Sequence, residues 1–322
     1  MDIKIKELEY NKTIDLTYSN LKLMFNGKDI SNIIINSIRR VILEDIPTYA
    51  FSPDVITIEK NTTIFNNDQL KLRLSQIPIY NIDNGIDYLE DKFWKNVNYN
   101  DIEREKHKNE KSIKFYAKCE NNISENILIK NITTNDINYF INDEKIEQPY
   151  NKKYPILVTK LNQCCEFSCN LNAVLGVGKK NVIWSPVSNV YYTIDDKNNI
   201  TLNIHSNGQI TEYNILMKAC KNINHQLETI KKYIKENISF ETDEIIFNLE
   251  SLTIGNIINE KLQKHKNIKY SGVSKPSYLD DKVIIKIKTN EKIKIDNILD
   301  ECIDECIKIY DTIYNIIKKM NK

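Results

Sequence analysis

The chain is poor in the residues that punctuate or functionalise a protein: its 322 residues include only 7 glycines, 7 prolines, 4 histidines and 2 tryptophans. Isoleucine, lysine, asparagine, aspartate and tyrosine are abundant instead, the bias that strongly AT-rich coding sequence produces. His107, His205, His225 and His265 stand neither at metal-ligand spacing nor beside a candidate serine or cysteine nucleophile, so a histidine-based metal or triad site is not indicated. No stretch approaches the roughly 18 uninterrupted apolar residues of a membrane span, and MDIKIKELEY mixes charges from its second residue. These features predict an intracellular protein without membrane attachment. Charge of one sign is also missing: 45 lysines and arginines face 44 acids, and a net charge of +1 supplies no general field for gripping phosphates. Dominant or sequence-specific DNA binding is therefore not expected. The 7 cysteines form an odd set without the spacing of a disulfide framework, which predicts reduced thiols.

What is present is an ordinary globular composition, 41% hydrophobic and 28% charged, in a chain too long for one compact domain. Leu21, Leu23 and Phe25 alternate with polar neighbours as a half-buried strand does. Asp29 or Ser31 can cap a following helix whose Ile30, Ile34, Ile38, Val41 and Ile42 share one face and which Pro47 ends. Residues 54–60 read as the next strand, giving a strand–helix–strand unit, with a short helix near 67–75. From about 82 to 175 lie polar, strand-like runs such as SIKFYAK, NILIKNI and PILVTKL, the pattern of an inserted β-rich domain.

A long helix is predicted over about 211–236, with Leu216, Ala219, Ile223, Leu227, Ile230 and Ile234 on one face. The opening pattern then returns: EIIFNLES as a strand, a helix capped by Thr253 and running to about 265, and short strands near IKYSG and KVIIKIKT. A last helix from about 294 places Leu299, Cys302, Cys306, Ile309, Ile313, Ile316 and Met320 on a heptad-like seam. Ile303, Ile307, Tyr310, Tyr314 and Ile317 form a second row beside it, so this helix should pack on more than one element. Two such units, each with a long amphipathic helix, are the pattern of an intimate pseudo-symmetric dimer in one polypeptide. The joint, around ENIS, is short and lacks glycine and proline.

The segments NSIRRVILEDIP and ITIEKNTTIFNNDQLKLRLSQIPI resemble the alpha-like, third-largest subunit of cellular RNA polymerases. GVGKKNVIWSPVSNVYYTI resembles that family's return into its dimerisation domain, and SNGQI its approach to the long helix. Residues 245–289, with LTIGNIINEKL and IKYSGVSKPSYLDDKVIIKIKT, resemble the smaller partner, the eleventh subunit in eukaryotic naming. The resemblance implies an α+β fold: an alpha-like dimerisation fold as an intramolecular pseudo-dimer with an inserted β-rich domain. Expected boundaries are 1–82 with 176–236 for the third-subunit-like part, 83–175 for the insert and 237–322 for the eleventh-subunit-like part. Such fusions occur in large DNA viruses that encode their own polymerase. The implied role is a non-catalytic platform that holds the largest and second-largest subunits, with small subunits alongside, in host cytoplasm or nucleus or packaged in a virion.

By the same resemblance, Arg39 and Arg40 match the family's paired arginines on the first helix, facing the second-largest subunit, and Asn36 and Trp184 join them as interface residues. From spacing alone a solvated arginine pair fits equally. Gly255 and Asn256 match the partner family's turn into its first helix, although Leu252 stands where that family usually has histidine. Leu216, Ile223, Ile230, Cys302, Ile309 and Ile313 are the expected intramolecular dimer seam.

Relatives of the third-largest subunit often carry a zinc or iron–sulfur cluster in the insert, but this chain lacks that cysteine spacing, and no metal or cofactor is expected. On a strand Cys165, Phe167, Cys169 and Leu171 would share one face with Cys164 opposite, which suits core cysteines better than ligands. Cys302 and Cys306 belong to the apolar seam. Gly176, Gly178, Lys179 and Lys180 lack the remainder of a phosphate-loop motif and read as a turn. REKHKNEK, with interleaved acids and no stacking aromatics, reads as a solvated helix face. Two other readings stay open at this stage: a stand-alone interaction scaffold of the same fold, and an enzyme built on the cysteine group or the glycine–lysine loop.

Overall fold

The computed structural model of the chain describes residues 1–12, 19–82, 85–101, 103–122, 128–147, 149–237, 252–277, 283–289 and 295–321. In chain order these form β1 (Lys4–Lys12), β2 (Ser19–Asn26), α1 (Asn32–Glu44), β3 (Thr48–Ala50), β4 (Ile56–Asn61) and α2 (Asn67–Ser75). Next come β5 (Ile113–Asn121), β6 (Ile129–Thr133), β7 (Ile137–Ile141), β8 (Glu144–Ile146), β9 (Leu157–Asn162), β10 (Cys165–Asn172) and β11 (Val174–Gly176). The chain closes with β12 (Val187–Ile194), β13 (Ile200–Ser206), α3 (Glu212–Asn237), α4 (Leu252–Lys264), β14 (Ile268–Ser274), β15 (Ile284–Thr289) and α5 (Ile295–Met320). No helix among the described residues is long and apolar enough to cross a membrane.

The helices start and stop where local chemistry dictates. The Ser31 hydroxyl accepts the Ile34 amide at 3.3 Å and caps α1, whose buried stripe is Ile34, Ile35, Ile38, Val41 and Ile42. Asn66 and Gln69 form a reciprocal capping box that opens α2.

Strands β1, β2, β13 and β12 pair antiparallel in that order. The inner side chains of this sheet, including Leu21, Leu23, Phe25, Leu202 and Ile204, join α1, α3, α4, α5, β14 and β15 in one apolar core. That core crosses the fusion joint, so neither half is closed without the other. Internal symmetry is visible in element lengths: α1 and α4 each span 13 residues, α3 and α5 each span 26. In each half a short helix leads to a two-stranded hairpin and then a long helix; in the first half the β-rich unit is inserted between α1 and β12.

Several expectations require revision. β4 does not share a sheet with β2: it pairs with β10 in a second antiparallel sheet ordered β4-β10-β5-β7-β8. Ile56 of β4 and Leu70 and Leu74 of α2 lie in that sheet's core, together with Tyr49, Phe51, Ile77, Ile79 and Ile82. The core division therefore falls near Tyr49, not at 82/83, because the apolar residues of β4 and α2 face the second sheet. Thr253 does not cap α4, since the helix already includes Leu252. The expected strand EIIFNLES lies outside the described residues. REKHKNEK is not helical: a buried pair between Arg104 and Glu110 closes it into a loop, with the Glu110 amide donating to the His107 carbonyl at 2.8 Å.

Candidate assembly interface

The face of α1 turned away from its buried stripe carries Asn36, Arg39 and Arg40, all half-buried. Asn36 Oδ1 accepts from both Nε and Nη2 of Arg39, at 3.0 and 2.9 Å. Arg40 Nη2 lies 3.3 Å from both carboxylate oxygens of Glu44, one turn on. The two guanidinium groups are thus held in place by their own helix before any partner arrives, which lowers the ordering cost of a bidentate contact.

The loop at residues 176–180 supports the C-terminal end of α1. A Cβ on Gly178 would come within 2.0 Å of the Leu43 carbonyl oxygen, and one on Gly176 within 2.7 Å of the Trp184 ring. The Lys179 amide donates to the Glu44 carbonyl at 2.8 Å, closing an open helix-end acceptor. Lys180 Nζ donates to the Val97 carbonyl at 3.0 Å and sits 4.0 Å from the Tyr99 ring centroid. Burial holds its pKa below the usual lysine value. The glycines serve close packing, and the Lys180 ammonium faces protein groups.

Trp184 requires correction as an interface residue. It is 2% exposed, its Nε1 donates to the Val174 carbonyl at 3.0 Å, and it packs with Ala50, Tyr99 and Val174 in a small core of its own. A large ring with one donor is satisfied there and offers no surface to a partner. Gly255 likewise sits buried inside the first turn of α4 and not in the turn before it, whereas the neighbouring Asn256 is exposed. Leu252 opens α4 half-buried against the shared core.

Leu216, Ile223 and Ile230 of α3 and Cys302, Ile309 and Ile313 of α5 are all buried in the core that joins the halves. Polar bonds cross the same junction: Ser31 Oγ donates to Glu260 Oε2 at 2.8 Å, so the residue that caps α1 also holds α4. Glu260 in turn pairs with Lys264 at 2.7 Å.

The thiols are spread over the two cores and one exposed turn. Burial pushes the Cys169, Cys302 and Cys306 thiols up to about 12. Cys164 is exposed in a left-handed turn with φ 61°, away from the buried Cys169. Among the described residues no three histidine, cysteine, aspartate or glutamate side chains converge as a cage.

Sequence reasoning missed the residues that brace the two cores. Gln209, in SNGQI, is 7% exposed; its Oε1 accepts from the Tyr49 amide at 2.8 Å, and its Nε2 donates to the Tyr49 and Ile79 carbonyls at 2.9 and 3.2 Å. It joins the two cores as a missing strand residue would. Lys218 and Asn222 interrupt the apolar stripe of α3 one turn apart and are buried. Lys218 Nζ donates to the Ile86 carbonyl at 2.9 Å, and Asn222 Nδ2 to the Asp45 and Asp87 carbonyls at 3.2 and 3.1 Å. Polar residues placed at helical spacing within an apolar face were the available signal.

Comparison with known proteins agrees with this geometry. The RNA polymerase Rpb3/Rpb11 dimerisation domain matches residues 25–227 and, in a second form, residues 243–315. The Acanthamoeba polyphaga mimivirus protein R470, assigned as a DNA-directed RNA polymerase subunit, is 26% identical over 99% of this chain and 94% of its own length. Subunit RPB3 of Schizosaccharomyces pombe DNA-directed RNA polymerase II is 26% identical over 62% of this chain and 61% of its own length. Subunit rpac1 of Dictyostelium discoideum RNA polymerases I and III is 26% identical over 56% of this chain and 51% of its own. The matches to RPB3 and rpac1 each cover little more than half of the chain, whereas the viral relative spans both halves. The chain belongs to the RNA polymerase Rpb3/Rpb11 dimerisation-domain family and carries two such domains in tandem.

Proposed function

We propose that the chain is the assembly platform of a multisubunit DNA-dependent RNA polymerase, with the third- and eleventh-subunit-like halves fused and contributing structure instead of chemistry. The observation that carries this reading is the single apolar core shared by both family domains across the fusion joint. A subunit pair that other polymerases assemble from two chains would here be formed during folding of one. The full-length likeness to a mimivirus polymerase subunit supports a large DNA virus as the source class and an intracellular polymerase as the setting, with packaging in the virion a further expectation.

In this reading Asn36, Arg39 and Arg40 face the second-largest subunit, Asn256 marks a corresponding surface on the other half, and the largest and small subunits complete the complex. Affinity purification of the tagged chain from infected cells tests the proposal: the two large polymerase subunits are expected to co-purify, and their absence sinks it. The double variant Arg39→Ala, Arg40→Ala tests the contact. It should fold with stability changed by no more than about 1 kcal/mol, since both side chains are half solvated, while recovery of the second-largest subunit falls. Unchanged recovery would refute the assignment.

A further inference from the structure

The near-zero net charge of the chain conceals a local excess. Residues 261–289 hold eight lysines against two acids, Asp280 and Asp281. Lys264 pairs with Glu260 at 2.7 Å, so part of the excess is neutralised at the helix side. Lys269, Lys286 and Lys288 lie on the hairpin β14–β15. Its inner face buries Val283, Ile285 and Ile287 in the shared core. On its outer face Tyr270 pairs with Lys288 and Gly272 with Lys286, and both lysines are exposed. Lys269, also exposed, sits at the register shift beside them.

Tyr270 is 59% exposed. A Cβ on Gly272 would lie 2.6 Å from the Tyr270 hydroxyl and 3.1 Å from its Cζ, so the ring lies down along its own strand over the glycine. A ring laid flat on a sheet keeps one face open to solvent. The corresponding hairpin of the first half provides an internal comparison: the outer residues of β12–β13 include Tyr191, Thr193, Thr201, Asn203 and His205, and neither strand contains a lysine or arginine. The cation of that face comes instead from β2, where Lys22 pairs with Asn203.

We propose that the outer face of β14–β15 binds single-stranded nucleic acid without sequence preference. Tyr270 stacks on a base, and Lys269 and Lys288 contact the phosphates on either side. Positive charge alone would suit any polyanion. The flat exposed ring beside the lysines favours a ligand with π-faces over an acidic peptide, whose carboxylates gain nothing from it. This inference goes beyond the platform role and does not depend on it.

The test is fluorescence anisotropy of the purified full-length chain with a fluorescein-labelled thymidine 20-mer at several salt concentrations. Wild type should bind, with affinity falling as salt rises. The double variant Lys269→Gln, Lys288→Gln should lose affinity and flatten the log–log salt slope by about 1.4, two contacts at about 0.7 each. Tyr270→Ala should weaken binding by about tenfold with the slope unchanged, whereas Tyr270→Phe should bind as wild type does. All of these side chains are exposed, so unchanged thermal melts are expected to accompany the losses. Absence of binding by wild type overturns the proposal. So does an unaffected Tyr270→Ala variant, or competition by poly-glutamate as strong, charge for charge, as by the oligonucleotide, which would mark an acidic protein as the partner.

Discussion

Lys231 Nζ lies 2.5 Å from Asp304 Oδ1, and this pair is one of several that fix α3 against α5 in a single register. Asn214 meets Asn321, Asn224 meets Asp311, and Lys235 meets Asp300 at 2.9 Å. Each advance along α3 is matched by an equal retreat along α5, so the helices run antiparallel. The steps of seven and four residues between Asn224, Lys231 and Lys235, close to two turns and one, keep these three pairs on one edge of the apolar seam.

Because Asp304 is about half exposed, the pair sets register more than it adds stability. Asp304→Lys should cost about 0.5–1 kcal/mol in urea unfolding, and adding Lys231→Asp should restore most of it. Ile309→Ala, which opens a cavity in the same seam, should cost about 2–5 kcal/mol. If the charge reversal cost as much as the cavity, the apolar seam would not be what holds the halves together.

Gln209→Ala removes three hydrogen bonds to backbone groups of Tyr49 and Ile79 and leaves them without those partners. A loss of about 1–3 kcal/mol is expected in thermal or urea unfolding. The Tyr49 amide should exchange with solvent faster, because the brace between the two cores has been cut. Gln209→Glu should also be destabilising: it keeps an acceptor for Tyr49 but loses both donors and introduces a buried charge.

The long helices were legible because apolar residues recur at helical spacing over many turns, as in Ile223, Leu227, Ile230 and Ile234. Strand partners were not legible. The apolar positions of β4 show which face is buried, but Ile56 pairs with Leu171 across more than a hundred residues, and no local pattern encodes that choice. Trp184 shows the same limit at one residue: a motif match locates a segment without saying whether a ring points inward. REKHKNEK was misread because alternating charge suits a solvated helix and a loop closed by one buried ion pair equally well.

Gly178→Ala should be the most damaging small change in the loop beneath α1. The added methyl would fall 2.0 Å from the Leu43 carbonyl oxygen, a backbone atom that cannot rotate away. Displacing the loop or the end of α1 should cost about 1–3 kcal/mol or more, with reduced recovery of the second-largest subunit if Arg39 and Arg40 move with the helix. Gly85→Ala provides the contrast: nothing lies within 4 Å, and the expected cost, about 1–2 kcal/mol, comes only from its φ of +65°. Differential scanning calorimetry of the two variants separates crowding from backbone conformation.

Asp45, at the same end of α1, should invert the pH dependence expected of a carboxylate. Burial raises its pKa from 3.8 to about 6; Lys179, a hydrogen bond from Gln226 and Arg40 oppose the rise, and Glu44 adds to it. The folded state therefore holds the proton more tightly than the unfolded chain. Its contribution to stability is fully present below about pH 4 and is lost as pH rises through about 6, to an extent of about 2–3 kcal/mol. Asp45→Asn should remove this segment of the stability profile and leave the protein more stable than wild type at pH 8. Arg40→Ala, by deleting an opposing cation, should move the midpoint upward. Urea midpoints measured from pH 4 to pH 8 decide the matter: a wild-type profile that rises over this interval, or one that Asp45→Asn leaves unchanged, would show that the carboxylate is solvated and the end of α1 open.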